Sequence, residues 1–181
     1  MNMLQETKEF VAKAFEGKSL THFEKTIYWV KQLEPQASEA MFIAAYSHDI
    51  ARAYSNEPIT KFQHIEMNDP EYLKVHQEQG AQIMKEFLLK HDYDQIELVY
   101  TMIRYHEVGG TPEADLLMDA DSISYLEVNA PIHAEKFVPI LGREKVRRKI
   151  EWMFHRISTD KAKELAKPYF EKSLQILNNQ V

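Results

Sequence analysis

Ala44-Ala45-Tyr46-Ser47-His48-Asp49-Ile50 is a run of small and apolar residues that ends in a histidine followed at once by an aspartate. A charged pair at the end of an apolar segment carries a desolvation cost. Buried ionisable groups normally persist only when they are paired or bound to a metal. Ser38 is a good cap for a helix that enters this stretch, and the spacing predicts that it runs through His48-Asp49 to about Tyr54.

Working outward, the same helical periodicity recurs on both sides. Met3 to Glu16 reads as an amphipathic helix ended by Gly17. Ser19 or Thr21 caps a second helix that carries His22, Thr26, Trp29, Val30 and Leu33, and Pro35 stops it. Ser55 to Asp69 is expected to be an irregular loop. Asp69-Pro70 starts a helix that continues to about Lys90, and Asp94 with Glu97 forms a capping box for one ending near His106. After the Gly109-Gly110-Thr111-Pro112 turn come a helix over Glu113 to Val128 and a connection bounded by Pro131 and Pro139. Two more helices follow, Arg143 to Arg156 and Asp160 to Asn178. No alternating strand pattern, internal repeat or domain boundary is visible. The expectation is one all-α domain of about eight helices over residues 1–181, with the C-terminal helices of 142–178 packed on a motif-bearing core of about 20–128.

Composition narrows the function classes. The chain has 181 residues, 44% hydrophobic and 28% charged, enough for one sizeable core. The net charge of −6 argues against an extended nucleic-acid face. There is no cysteine, so disulfides, thiolate metal sites and a cysteine nucleophile are excluded. No signal-peptide core and no run of membrane-spanning length occur, which makes the cytoplasm the default location.

Eight histidines are present. His22, His48, His76 and His106 fall on apolar stripes of four different helices and are expected to point inward. His64, His91 and His133 fall in a loop, at a helix end and in the proline-bounded connection, and His155 on a mixed face. One inward histidine is ordinarily a core residue with one hydrogen bond. Four on four helices point instead to a shared cation, and sulfur-free ligands with several imidazoles suit iron, manganese or zinc, with magnesium also open.

His22, the adjacent His48-Asp49 and a later Asp121 resemble the ordered H…HD…D signature of the HD-domain superfamily of metal-dependent phosphohydrolases, with gaps of 26 and 72 residues. His76-Gln77-Glu78-Gln79-Gly80-Ala81 is similar to the H-x-x-x-G-A segment of HD proteins with a two-metal site, and Ile103-Arg104-Tyr105-His106 to the segment with their next histidine. The resemblance implies His22, His48, Asp49 and Asp121 on one divalent ion and Asp49, His76 and His106 on another, with Asp49 bridging. Periodicity does not choose between Asp119 and Asp121; the resemblance selects Asp121, the second aspartate of the D-A-D segment. One departure is that Ile50, Ala51 and Arg52 follow the pair where many HD nucleotidases carry a glutamate.

The resemblance implies hydrolysis of a small phosphorylated molecule, a nucleotide above all, by metal-activated water; the alternative is a non-catalytic metal or nucleotide sensor on the same scaffold. Asp49 would orient the nucleophile. Arg52, four residues after His48, is the leading phosphate contact because a guanidinium suits phosphate oxygens. Lys25 and Lys61 read more simply as solvated charges, and Glu107 as a helix-end carboxylate. The basic run from Arg143 to Lys149, interleaved with Glu144, reads as the wet face of a helix, and Trp152, Met153 and Phe154 as core.

Overall fold

Helix α3 (Glu39–Ser47) follows helices α1 (Met3–Ala14) and α2 (Thr21–Leu33). The computed structural model describes residues 2–55 and 58–180. Ser38 accepts from the Met41 backbone N–H at 3.3 Å, as its cap role requires. Ala40, Met41, Ile43, Ala44, Ala45, Tyr46 and Ser47 are all buried, so α3 is covered on every side. Its neighbours are α1, α2, α5 (Ile96–Tyr105) and α6 (Pro112–Ser124). The small side chains at 40, 44 and 45 let these helices approach closely.

Helix α3 ends before the histidine-aspartate pair, not after it. His48 is its C-terminal cap, and a separate 3₁₀ turn covers Ile50–Ala53. Helix α4 (Pro70–Leu89) packs against this turn and against α5. Asp69 caps α4 at 2.9 Å with Pro70 in the first turn, as expected. The predicted capping box on α5 does not form. Its cap is Gln95 without a side-chain bond, and Glu97 is drawn away to Lys85 at 2.6 Å. On α2 the cap is Leu20, while Ser19 accepts from the Thr21 N–H.

The loop after the 3₁₀ turn contains a second 3₁₀ turn, Ile59–Gln63; its residues 56 and 57 lie outside the described residues. The expected proline-bounded connection is helical instead. A π-helical stretch, Tyr125–Asn129, continues α6 into α7 (Ala130–Lys136) and α8 (Val138–Leu141). Pro131 and Pro139 sit in the first turns of α7 and α8, at the junctions between successive helical stretches. Helices α9 (Arg143–His155) and α10 (Asp160–Asn178) pack on each other and on α6 and α7.

The molecule is all-α, with no strand among the described residues. One cluster of buried apolar side chains runs from Val11 and Phe15 through Ile43, Met84, Ile103 and Ile123 to Ile150 and Leu177. Among the described residues, no helix is long and apolar enough to cross a membrane.

Candidate metal centre

Two helix ends aim two histidines in the same way. His48 at the end of α3 and His106 at the end of α5 each turn Nδ1 to a carbonyl three residues back. His48 meets Ala45 O at 3.0 Å and His106 meets Ile103 O at 2.7 Å. A carbonyl only accepts, so each Nδ1 carries the proton. The bond satisfies a carbonyl left over at the helix terminus and points Nε2 away from the backbone. His22, in the first turn of α2, is fixed by Ser124. The Ser124 hydroxyl donates to His22 O at 2.8 Å, so its oxygen accepts from His22 Nδ1 at 2.8 Å. Three imidazoles thus present Nε2 inward, the arrangement in which a hydrogen bond on one ring nitrogen orients the other as a ligand.

Six of the sequence-predicted residues come together in two neighbouring groups, His22 with His48 and Asp121, and Asp49 with His76 and His106. In the first, His22 Nε2 lies 3.0 Å and His48 Nε2 3.3 Å from Asp121 Oδ1, and the two nitrogens are 3.3 Å apart. A cation bonded to all three at about 2.0–2.2 Å needs edges of about 2.9–3.5 Å between them. In the second, His76 Nε2 lies 2.7 Å from Asp49 Oδ1. His106 Nε2 is buried with no hydrogen-bond partner among the described residues. A buried imidazole nitrogen facing a carboxylate and another histidine is a donor arrangement that suits a cation, so both donor sets fit divalent metal.

Each carboxylate is divided between histidine and arginine. Asp49 Oδ2 accepts from Arg52 Nε at 2.7 Å, and Asp121 Oδ2 from Arg156 Nη2. Arg156 also donates to Glu107 and, at 2.8 Å, to Ser122. Asp49 therefore belongs to the second group, and its other oxygen faces Arg52, not the first group. Arg52 does not project beside His48 as on a continuous helix. The break after Ser47 swings it onto Asp49.

The electrostatics follow from this pairing. Burial pushes the Asp49 carboxyl up, but Arg52, His76 and His48 together hold it well below the usual range. For Asp121, burial is likewise outweighed, by His48, Arg156 and His22. Burial would lower His48, yet Asp121 and Asp49 raise it to about 9. Burial pushes His106 down to about 4, leaving it neutral. Arg156 outweighs the burial of Glu107 and holds it down to about 2, which makes Glu107 a fixed carboxylate of the wall.

The groups open into a cleft of about 350 Å³ whose walls include Lys18, Phe62, Tyr72, Tyr125, His133 and Lys149. Asp119 stays out of it. It accepts from the Ser158 and Thr159 backbone N–H groups at 2.6 and 3.1 Å and from both hydroxyls, tying α6 to the start of α10. Lys25 is held by Glu127 at 2.6 Å, and His91 by Glu6 at 2.5 Å. His133 lies in helix α7 at the cleft wall, bonded to Tyr125 at 2.9 Å.

The basic run is not a uniformly wet face. Lys145 donates to Phe62 O at 2.5 Å and Ile65 O at 3.1 Å, Arg148 pairs with Glu66 at 2.9 Å, and Lys149 is buried. Sequence reasoning missed Arg156 and Lys149 at the site. The available signal was two cations seven residues apart on one helix, interleaved with Trp152 and Met153.

A family model described as a domain of unknown function, DUF4202, matches residues 3–176. No curated protein matches the chain. Among solved structures, the chain is similar to a predicted HD superfamily hydrolase from an uncultured Thermotogales bacterium. The TM-score is 0.61 at 18% identity, over 97% of this chain and 89% of that one. The likeness extends over nearly the whole fold.

Proposed function

Since the chain belongs to the DUF4202 family, whose description carries no activity, the chemistry rests on the site itself, and we propose that it is a metal-dependent phosphohydrolase acting on a small, nucleotide-like phosphorylated substrate. The observation that carries this reading is the pair of neighbouring donor groups, His22–His48–Asp121 and Asp49–His76–His106, which reach one cleft through His22, Asp121 and Asp49. The fold shared with a protein described as a predicted HD superfamily hydrolase supports it.

His22, His48 and Asp121 would hold one divalent ion and Asp49, His76 and His106 a second, of iron, manganese, magnesium or zinc. Bound there, such ions polarise phosphoryl oxygens and acidify water. The chain supplies the rest. Nδ1 bonds to Ala45, Ile103 and Ser124 keep three imidazoles in the ligating tautomer. Arg156 holds Asp121 ionised and turned inward. Arg52 reaches the cleft on Asp49 and exchanges one Asp49 oxygen for a phosphoryl oxygen, which frees that carboxylate to orient the nucleophile. Phe62, Tyr72 and Met67 give the cleft an apolar side suited to a base or similar group.

The test is turnover of nucleotides and phosphodiesters with Mn²⁺, Fe²⁺ and Mg²⁺, together with metal content. Product formation with two ions per chain is expected. His76→Ala should lose one ion and Asp121→Ala the other, while His91→Ala loses neither. Binding of nucleotides without product across the panel would favour the sensor, and wild-type protein that takes up no metal would remove both readings.

A further inference from the structure

We propose that Lys149 is an anion anchor that holds a second negatively charged group of the substrate while the reacting phosphoryl sits at the two histidine-aspartate groups. This rests on the phosphohydrolase reading and narrows it to phosphoanhydrides and multiply phosphorylated molecules.

Of the other cations near the cleft, Lys18 is exposed to solvent, Lys61 lies over the Tyr72 ring at 3.9 Å, and the remaining three are matched. Arg52 is held by Asp49, Arg156 by Glu107 and Asp121, and Lys145 by backbone carbonyls of the loop it clamps. Lys149 differs. The residue is only 6% exposed and lines the cleft, its nitrogen is not among the fully enclosed polar atoms, and among the described residues it makes no ion pair or hydrogen bond. Its partners are ring faces, Trp152 at 4.3 Å and Tyr125 at 5.6 Å. Trp152 is shared with the Arg156 guanidinium at 4.6 Å, so two cations lie against one ring.

Ring faces replace only a fraction of the hydration an ammonium loses on burial. That deficit is visible in Lys149, which burial pushes down to about 8. Glu107 and Asp121 offset it only in part, because both are hydrogen-bonded to Arg156 and neither bonds to the ammonium. The missing acceptor comes from a ligand in the cleft. A phosphoryl group at the two donor groups is already served by Arg52 and by the ions, so the charge that Lys149 answers is a further one on the same molecule.

Methylenediphosphonate, whose P–C–P bridge resists hydrolysis, and inorganic phosphate serve as two-group and one-group probes. Calorimetric titration of the metal-loaded and metal-free protein, with metal content measured in parallel, reads the anchor apart from activity. A charged hydrogen bond implies that Lys149→Met weakens methylenediphosphonate by about tenfold or more. Inorganic phosphate should change by less than about threefold, well under that charged-bond effect, with Lys149→Arg near wild type. Lys149→Gln serves the same comparison should the methionine variant not fold.

Unchanged diphosphonate affinity in the variants, equal loss of both probes, or no binding by wild type would overturn the anchor. The two readings fail separately. Diphosphonate binding that depends on Lys149 in a protein without metal uptake or turnover leaves the anchor and removes the hydrolase. Normal metal content and turnover with Lys149-independent binding does the reverse.

Discussion

Asp49 and Asp121 each turn one oxygen to histidine and the other to an arginine, and most of the chemistry of the site follows from that division. The six grouped residues were legible because their order along the chain carries a signature and their helical positions face inward. Arg156 and Lys149 were not, because they arrive from a C-terminal helix with no motif, and a basic residue on an amphipathic helix reads by default as solvated. His133 was misread for the opposite reason: flanking prolines suggested a connection, whereas Pro131 lies in the first turn of α7. Burial first, then Lys149 and Arg52, push His133 down to about 3, so it is neutral in the native state and hydrogen-bonded to the Tyr125 hydroxyl. Its folded pKa lies below the ordinary 6.5 of the unfolded chain. Its contribution to stability is therefore present above pH 6.5 and is lost as pH falls toward 3. His133→Gln, whose amide keeps a hydrogen-bonding partner for Tyr125, should move the acid-unfolding midpoint to lower pH. An identical acid limb in circular dichroism would show that His133 titrates freely.

Between elements, the decisive contact is α4 against the end of α3. A Cβ added at Gly80 would meet the His48 carbonyl at 3.2 Å and Ile103 at 3.5 Å. The absence of a side chain at Gly80 thus lets α4 press close enough to deliver His76 to Asp49. The glycine stood out in the sequence only through the H-x-x-x-G-A resemblance, and its physical reason needed the neighbouring helix. Helix ends were misjudged for similar reasons. The apolar run continues past Ser47, but the chain tightens into a 3₁₀ turn there, which splits His48 and Asp49 between the two groups. Gly80→Ala should cost about 1–3 kcal/mol, the usual size of overpacking by one methyl. Because the backbone it displaces is that of His48, metal affinity should fall as well. Denaturant unfolding and metal titration read the two effects. A stable variant with wild-type metal affinity would mean that the helices separate without cost.

At the scale of the molecule, α2, α3, α4, α5 and α6 each send a side chain into the paired groups, or supply one from just past their ends. The carboxylates of Asp49 and Asp121, a His106 nitrogen with no hydrogen-bond partner among the described residues, and His48, raised to about 9, form a polar centre whose donor groups are compatible with bound divalent cations. The all-α class was legible because the periodicity is strong along the whole chain, but how these five helices share one polar centre is a property of packing. A ligand that binds only the folded chain stabilises it by about 2.7 kcal/mol at a free concentration of a hundred times Kd. For a chain of this size that corresponds to a rise in Tm of roughly 5–10 °C. Thermal unfolding with Mn²⁺, and again after a chelator, should show this rise and its reversal. His76→Ala should retain part of the rise, since the His22–His48–Asp121 group stays intact. Asp49→Ala should behave like His76→Ala if Asp49 serves the second group alone, and should lose the whole rise if it bridges both. No rise in wild type at saturating Mn²⁺, Fe²⁺ or Zn²⁺ would mean that protons and arginines alone balance the centre.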